Sequence, residues 1–381
     1  MTLVSHRTVM RGSIPFSERN TPWRGGLDLV TGCYPAFLFG GSLGHWLPVF
    51  HFHEATVAGL EPYLQYLVEN GYHTVTSEAI AAYVLKGRHP GPNAVALCFD
   101  DAWASVWTVV APLLKKHGLQ AITYVSPGLV PELATMRPTI ESPEGAPADA
   151  DSAATPFASW LELQALQRAG TMDIQAHSLD HTLIFSDSCI SGFVTPGFRR
   201  HPHLYPLVDT GAGERHLTPA DLGAPLYTQR SRYSDALRYD NPAAFAACVK
   251  RVSEHGGPAF FARPDWEHDL RQVAASCAGR QESPAQRDAA IFNDLSSARQ
   301  QLNARLNTGA VRHMCFPWAI ASRPGEAAAE KAGYVTAFGD RLFGSRAVRA
   351  GDPPYRLMRL KHPLLYCLPG RGRRTFFRKR I

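Results

Sequence analysis

Apolar and polar positions alternate between two regimes along the chain. LPVFHF (47–52), AVALCF (94–99), QAITYV (120–125), TMDIQAHS (171–178), HMCFPW (313–318) and YVTAF (334–338) are short apolar runs of strand length. Between them the apolar positions recur at helical spacing. Leu60, Tyr63, Leu64 and Leu67 predict a helix over Leu60–Asn70 that Gly71 ends, and Ser77–Leu85 a second with Ser77 as N-cap. Further helices are predicted at Trp107–His117, Trp160–Ala169, 242–255 (Asn241 as cap, Pro242 in the first turn), 264–277, 284–306 and Glu326–Ala332. Strand, helix, strand in succession implies an α/β fold on a parallel sheet. Residues 131–158 read as an exposed loop, and about 190–240 as a long stretch of Pro, Gly, Arg, His and Tyr with no period.

Composition narrows the class. The 381 residues are 45% hydrophobic and 19% charged, enough to bury a core, while 31 Gly and 29 Pro exclude a coiled coil. The net charge of +6 is uneven. Arg356, Arg359, Lys361, Arg371, Arg373, Arg374, Arg378, Lys379 and Arg380 crowd the last 27 residues with no acid, leaving 30 cations against 33 acids elsewhere. That is a mildly acidic body with a basic end, not a nucleic-acid-binding domain. Seven scattered cysteines without a CxxC pair argue against a disulfide framework and for a reducing compartment. The first residues lack the apolar core of a secretory signal, and Cys33–Phe52 is too interrupted to span a bilayer. The expected location is cytoplasmic, with peripheral membrane contact through the tail, 371–381.

Candidate chemistry gathers at strand ends, where active sites of α/β barrels lie. CFDDAW (98–103) ends a buried strand in two carboxylates, Asp100 and Asp101. AHSLDH (176–181) places His177 and His181 four apart, and His51 and His53 share one strand face. Two histidines and one carboxylate make a three-ligand set for a divalent metal, and a second carboxylate can take a proton from water. Together these are the parts of a metal-assisted hydrolase.

These motifs resemble those of the polysaccharide deacetylases, carbohydrate esterase family 4. CFDDAW is similar to the TFDDG motif and AHSLDH to HSxxH, preceded here by "WLELQALQRAGTMDIQ". "PVFHFHEATVAGLEPYLQYLVENGYHTV" resembles the opening of the rearranged poly-N-acetylglucosamine-type deacetylases, and "HMCFPWAIASRPGEAAAEKAGYVTAF" the Pro-aromatic-Gly motif. The resemblance implies a distorted (β/α)7-type barrel over 46–370, after a 1–45 lead-in, with a long, mostly helical insertion at about 186–290. It implies a hydrolase of the N-acetyl group of an amino sugar in glycan or glycolipid assembly. Asp101, His177 and His181 would bind the metal, usually zinc; Asp100 would be the base; Pro317 and Trp318 would line the substrate groove. For the acid the resemblance offers His53, favoured by its 48–75 context, or His362 in a C-terminal Leu-x-His-like motif. The substrate would be an N-acylated sugar or glycan, in one form lipid-linked. Two other readings stay open: an amidohydrolase of a non-sugar amide or cyclic imide, and a degenerate glycan-binding member.

Three departures stand out. Ala102 and Ala319 occupy positions where glycine is usual, and Cys315 stands where an arginine commonly braces the catalytic aspartate. Arg312, Arg199 and Arg200 are the candidate substitutes. The aromatic and cationic residues between His181 and Phe316 suit either a lid over substrate or a solvated insertion.

Overall fold

The computed structural model describes residues 35–147, 154–198, 206–340 and 347–374. Its first strand, β1 (Val49–Phe52), leads into helix α1 (Val57–Glu69), whose cap is Thr56 accepting from the Gly59 amide at 3.1 Å. The two-residue β2 (His73–Thr74) and α2 (Ser77–Lys86) follow, then β3 (Ala94–Phe99), all of it buried. The N-cap of α2 is Thr76 rather than Ser77; Ser77 instead donates its amide and hydroxyl to Asp173 at 2.8 and 2.5 Å. One wide turn at Val106–Val110 opens α3 (Ala111–His117) before β4 (Ala121–Val125), α4 (Trp160–Ala169) and β5 (Met172–Ala176). Ser159 and Glu162 cap α4 reciprocally, which fixes where it starts.

Residues 181–293 with 322–325 make a compact unit of their own, and 35–180, 294–321 and 326–374 make the other. In the first, the patternless stretch supplies β-structure that short, polar strands hide from periodicity. β6 (Leu183–Phe193) pairs antiparallel, through irregular register, with β9 (Pro225–Ser231). β7 (Leu207–Asp209) and β8 (Glu214–His216) form a hairpin, and β10 (Tyr239–Asp240) pairs with β11 (Arg280–Gln281). Helices α5 (Pro242–Glu254) and α6 (Trp266–Ala275) pack here, with Asn241 capping α5 through the Ala244 amide at 3.0 Å. The insertion is thus mixed: these strands accompany its helices. The chain then runs through α7 (Pro284–Arg305), β12 (His313–Cys315), α8 (Arg323–Lys331), β13 (Thr336–Asp340), β14 (Leu357–Met358) and β15 (Leu360–Lys361).

The parallel sheet of the second unit runs β14-β13-β12-β5-β4-β3-β1-β15, with β2 paired on the start of β3. Its two ends are consecutive in the chain. Leu357 and Met358 pair with β13 on one side; Leu360 and Lys361 pair with Phe50 and His51 of β1 on the other. Only Arg359 lies between, so one extended segment joins both edges and the sheet closes into a barrel of seven staves. The ordered interior contains Val49, Ala96, Cys98, Ile122, Tyr124, Cys315, Phe338 and Leu357, a packed core and not a channel. No helix among the described residues is long and apolar enough to cross a membrane, and the described cysteines form no disulfide.

Candidate functional site

β3 alternates Ala94, Ala96 and Cys98 into the barrel, and the next residue on that face is Asp100. Asp100 is 4% exposed and accepts a two-pronged hydrogen bond from Arg359, Nη1 to Oδ1 at 2.5 Å and Nη2 to Oδ2 at 2.8 Å. Burial opposes its ionisation, yet the guanidinium charge and its paired bonds win and hold the carboxyl far below the usual carboxylate range. Arg359 lies over the rings of Tyr124 and Phe338, at 5.7 and 5.6 Å, in the barrel interior. Of the braces offered by sequence, Arg312 instead faces Glu78 at 3.5 Å, and Arg199 and Arg200 lie outside the described residues. Arg359 was missed because its partner is 259 residues away. The available signal was a cation between Leu357-Met358 and Leu360 in RLMRLK, which reads as a short strand with one inward charge.

After Asp100 the chain enters the left-handed region, Asp101 at φ 67° and Ala102 at φ 50°. Asp101 therefore leaves the strand alternation. Its Oδ1 lies 3.4 Å from His177 Nε2, and its Oδ2 accepts from Trp103 Nε1 at 3.3 Å. His177 follows β5. A carbonyl can only accept, so the 2.7 Å contact of Nδ1 with Cys315 O assigns the ring proton to Nδ1 and turns Nε2 toward Asp101. Position 315 thus contributes its backbone, and burial pushes its thiol pKa up.

One donor atom each from Asp101, His177 and His181 lie within 4.8 Å of one another, and all three residues are buried. The donor set fits a divalent transition metal: two imidazoles and a carboxylate, with one imidazole already oriented by its second nitrogen. Left-handed geometry recurs after three of the strands, β3, β5 and β12. Of eight described non-glycine residues at positive φ, six are Asp101, Ala102, Ser178, His181, Trp318 and Ala319. The two alanines noted in sequence keep the backbone shape that favours glycine, at a cost in strain.

His53 directly follows β1, its ring 5.8 Å from that of His51, half-exposed, with Nε2 3.8 Å from Asp100 Oδ2. His362 stacks its ring on Phe52 at 5.0 Å and meets Tyr63 edge-on at 5.7 Å, near enough for its charge to act on His51. The pKa of His51 is pushed well below the ordinary value, chiefly by burial and then by the charge of Arg359. Pro317 and Trp318 form the short turn after β12, two and three residues past the carbonyl that orients His177.

Residues 87–191 match the family model for polysaccharide deacetylases. This chain resembles polysaccharide deacetylases. The matched segment contains Asp100, Asp101, His177 and His181, whereas His53, Pro317, Trp318 and Arg359 fall outside it. YxkH of Bacillus subtilis (strain 168), provisionally named a polysaccharide deacetylase, is 28% identical over 65 residues, 17% of this chain and 23% of that protein. The deacetylase domain of BpsB from Bordetella bronchiseptica matches at TM-score 0.51 and 15% identity, covering 84% of this chain and 97% of that one. IcaB from Ammonifex degensii covers 83% and 92% at TM-score 0.46 and 16% identity. The likeness to the BpsB domain assigns the barrel to the deacetylase fold.

Proposed function

We propose that this chain is a metal-dependent hydrolase that removes the N-acetyl group from an amino sugar of a glycan. The observation that supports this most directly is the pairing of two adjacent carboxylates in different surroundings. Asp100 is locked ionised on Arg359, and Asp101 is grouped with His177 and His181. Asp101, His177 and His181 would hold the metal, for which zinc suits the imidazole and carboxylate donors. When bound, that ion supplies Lewis acidity toward water and the amide carbonyl. Asp100 is an acceptor within the barrel mouth and takes the proton of the attacking water. His53, the histidine facing Asp100, donates a proton to the departing sugar amine. Pro317 and Trp318 are assigned to the sugar-facing wall. The cysteine usage supports a cytoplasmic setting, where the substrate is a lipid-linked or soluble glycan precursor.

The test is release of acetate and free amine from N-acetylglucosamine oligomers by the full-length protein, with and without a chelator. Chelator-sensitive release is expected, and Asp100→Asn should lower it by about 10²–10⁴-fold. Turnover of small non-sugar amides with none of the sugars would reject the glycan reading.

A further inference from the structure

The segment before α4, read from sequence as part of an exposed loop, is tied to the turn that carries Asp101. The Ala158 amide donates to Ala102 O at 2.8 Å and the Ala104 amide to Pro156 O at 2.7 Å, and Trp103 and Phe157 form an isolated antiparallel bridge between those bonds. Their rings meet at 5.1 Å, and Trp103 is 5% exposed. The segment is itself pinned. Arg137 Nη2 donates to Thr155 O at 2.7 Å and Phe157 O at 3.0 Å, while its Nη1 meets the fully buried Glu162 at 2.6 Å. Trp107 Nε1 closes the cluster by donating to Arg137 O at 2.8 Å.

This clasp acts on a residue that cannot hold its own shape. Asp101 and Ala102 are consecutive left-handed positions, which persist only where the surroundings over-determine them. A carboxylate also turns about its Cβ–Cγ bond unless one oxygen is fixed. The indole Nε1 is a donor only, so Trp103 can hold Oδ2 and do nothing else there. Oδ1 is thereby left on the His177 side, 3.4 Å from Nε2.

We propose that Trp103, clasped by 155–158 and Arg137, is a positioning residue that presets Asp101 for metal binding. The inference rests on the metal-centre reading above. Outer partners of this kind change metal affinity by about 10- to 100-fold when removed.

The experiment measures zinc affinity of full-length protein by competition with a chromophoric chelator, well below the melting temperature. Trp103→Phe keeps a ring against Phe157 but removes the donor, and it should weaken zinc binding by about 10-fold or more. Phe157→Leu, which leaves Trp103 intact but loosens it, should weaken binding in the same direction by a smaller factor. A role confined to packing would lower the melting temperature and leave zinc affinity of the folded protein unchanged. Zinc binding within twofold of wild type in both variants would overturn the proposal while sparing the metal-centre reading. Failure of the wild-type protein to bind zinc would overturn both.

Discussion

Asp100 and Asp101 are adjacent in sequence and opposite in circumstance: one continues the strand into the barrel, the other turns out of it on a left-handed backbone. Their substitutions should therefore separate. On the proposed roles, Asp100→Asn should retain the metal and lose about 10²–10⁴-fold in turnover, whereas Asp101→Asn should lose both; metal analysis beside the assay distinguishes them. A second residue-scale outcome concerns acid stability. His313 is buried, its Nδ1 on Thr336 Oγ1 at 2.8 Å, and desolvation lowers its pKa below the ordinary 6.5, outweighing Glu78. Burial does the same to His51. In the fold both take up protons only at lower pH than in the unfolded chain, which protonates them below about pH 6.5, so stability is full above that value and falls as pH drops toward the lowered folded values. His313→Gln should flatten that acid limb in denaturant titrations at several pH values. The Asp pair and the His177/His181 spacing were legible because each is local. Arg359 was not, since only strand closure brings it to Asp100.

At the scale of elements, continuous apolar runs of strand length made six staves readable, and helix ends followed from Gly71 and Asn241. The remaining stave escaped because LMRLK is two residue pairs around a charge, too short to show a period. The strands of 183–240 escaped for a related reason: β6 is apolar only in its first part, and register shifts break its pairing with β9. Arg359→Met should cost about 3–5 kcal/mol, because it strands a buried Asp100 carboxylate without its counter-charge; Arg359→Met with Asp100→Asn should recover much of that. Chemical denaturation of the two variants beside wild type checks it. The left-handed alanines give the opposite sign. Ala102→Gly and Ala319→Gly should each stabilise by about 1 kcal/mol by relieving the Cβ clash, with the metal site intact.

Across the whole molecule, the basic C-terminal segment divides. Arg373 donates to Phe37 O, Gly40 O, Gly41 O and Cys367 O, and Arg374 lies over the Tyr366 ring at 4.8 Å. These two cations are engaged by the fold; Phe376, Phe377, Arg378, Lys379 and Arg380 lie outside the described residues. Truncation after Arg374 should leave the melting temperature unchanged and remove any salt-sensitive binding to anionic vesicles, whereas truncation after Pro369 should also lower the melting temperature. Vesicle binding that survives the shorter cut would reject membrane contact through the tail. The joining of both sheet edges by 357–361 has a consequence during synthesis. Until those residues leave the ribosome, the nascent sheet carries two open parallel edges and Asp100 has no guanidinium to meet. The barrel is thus closed by the last of its staves to be made, and until then both unpaired edges are open to pairing with the wrong strand.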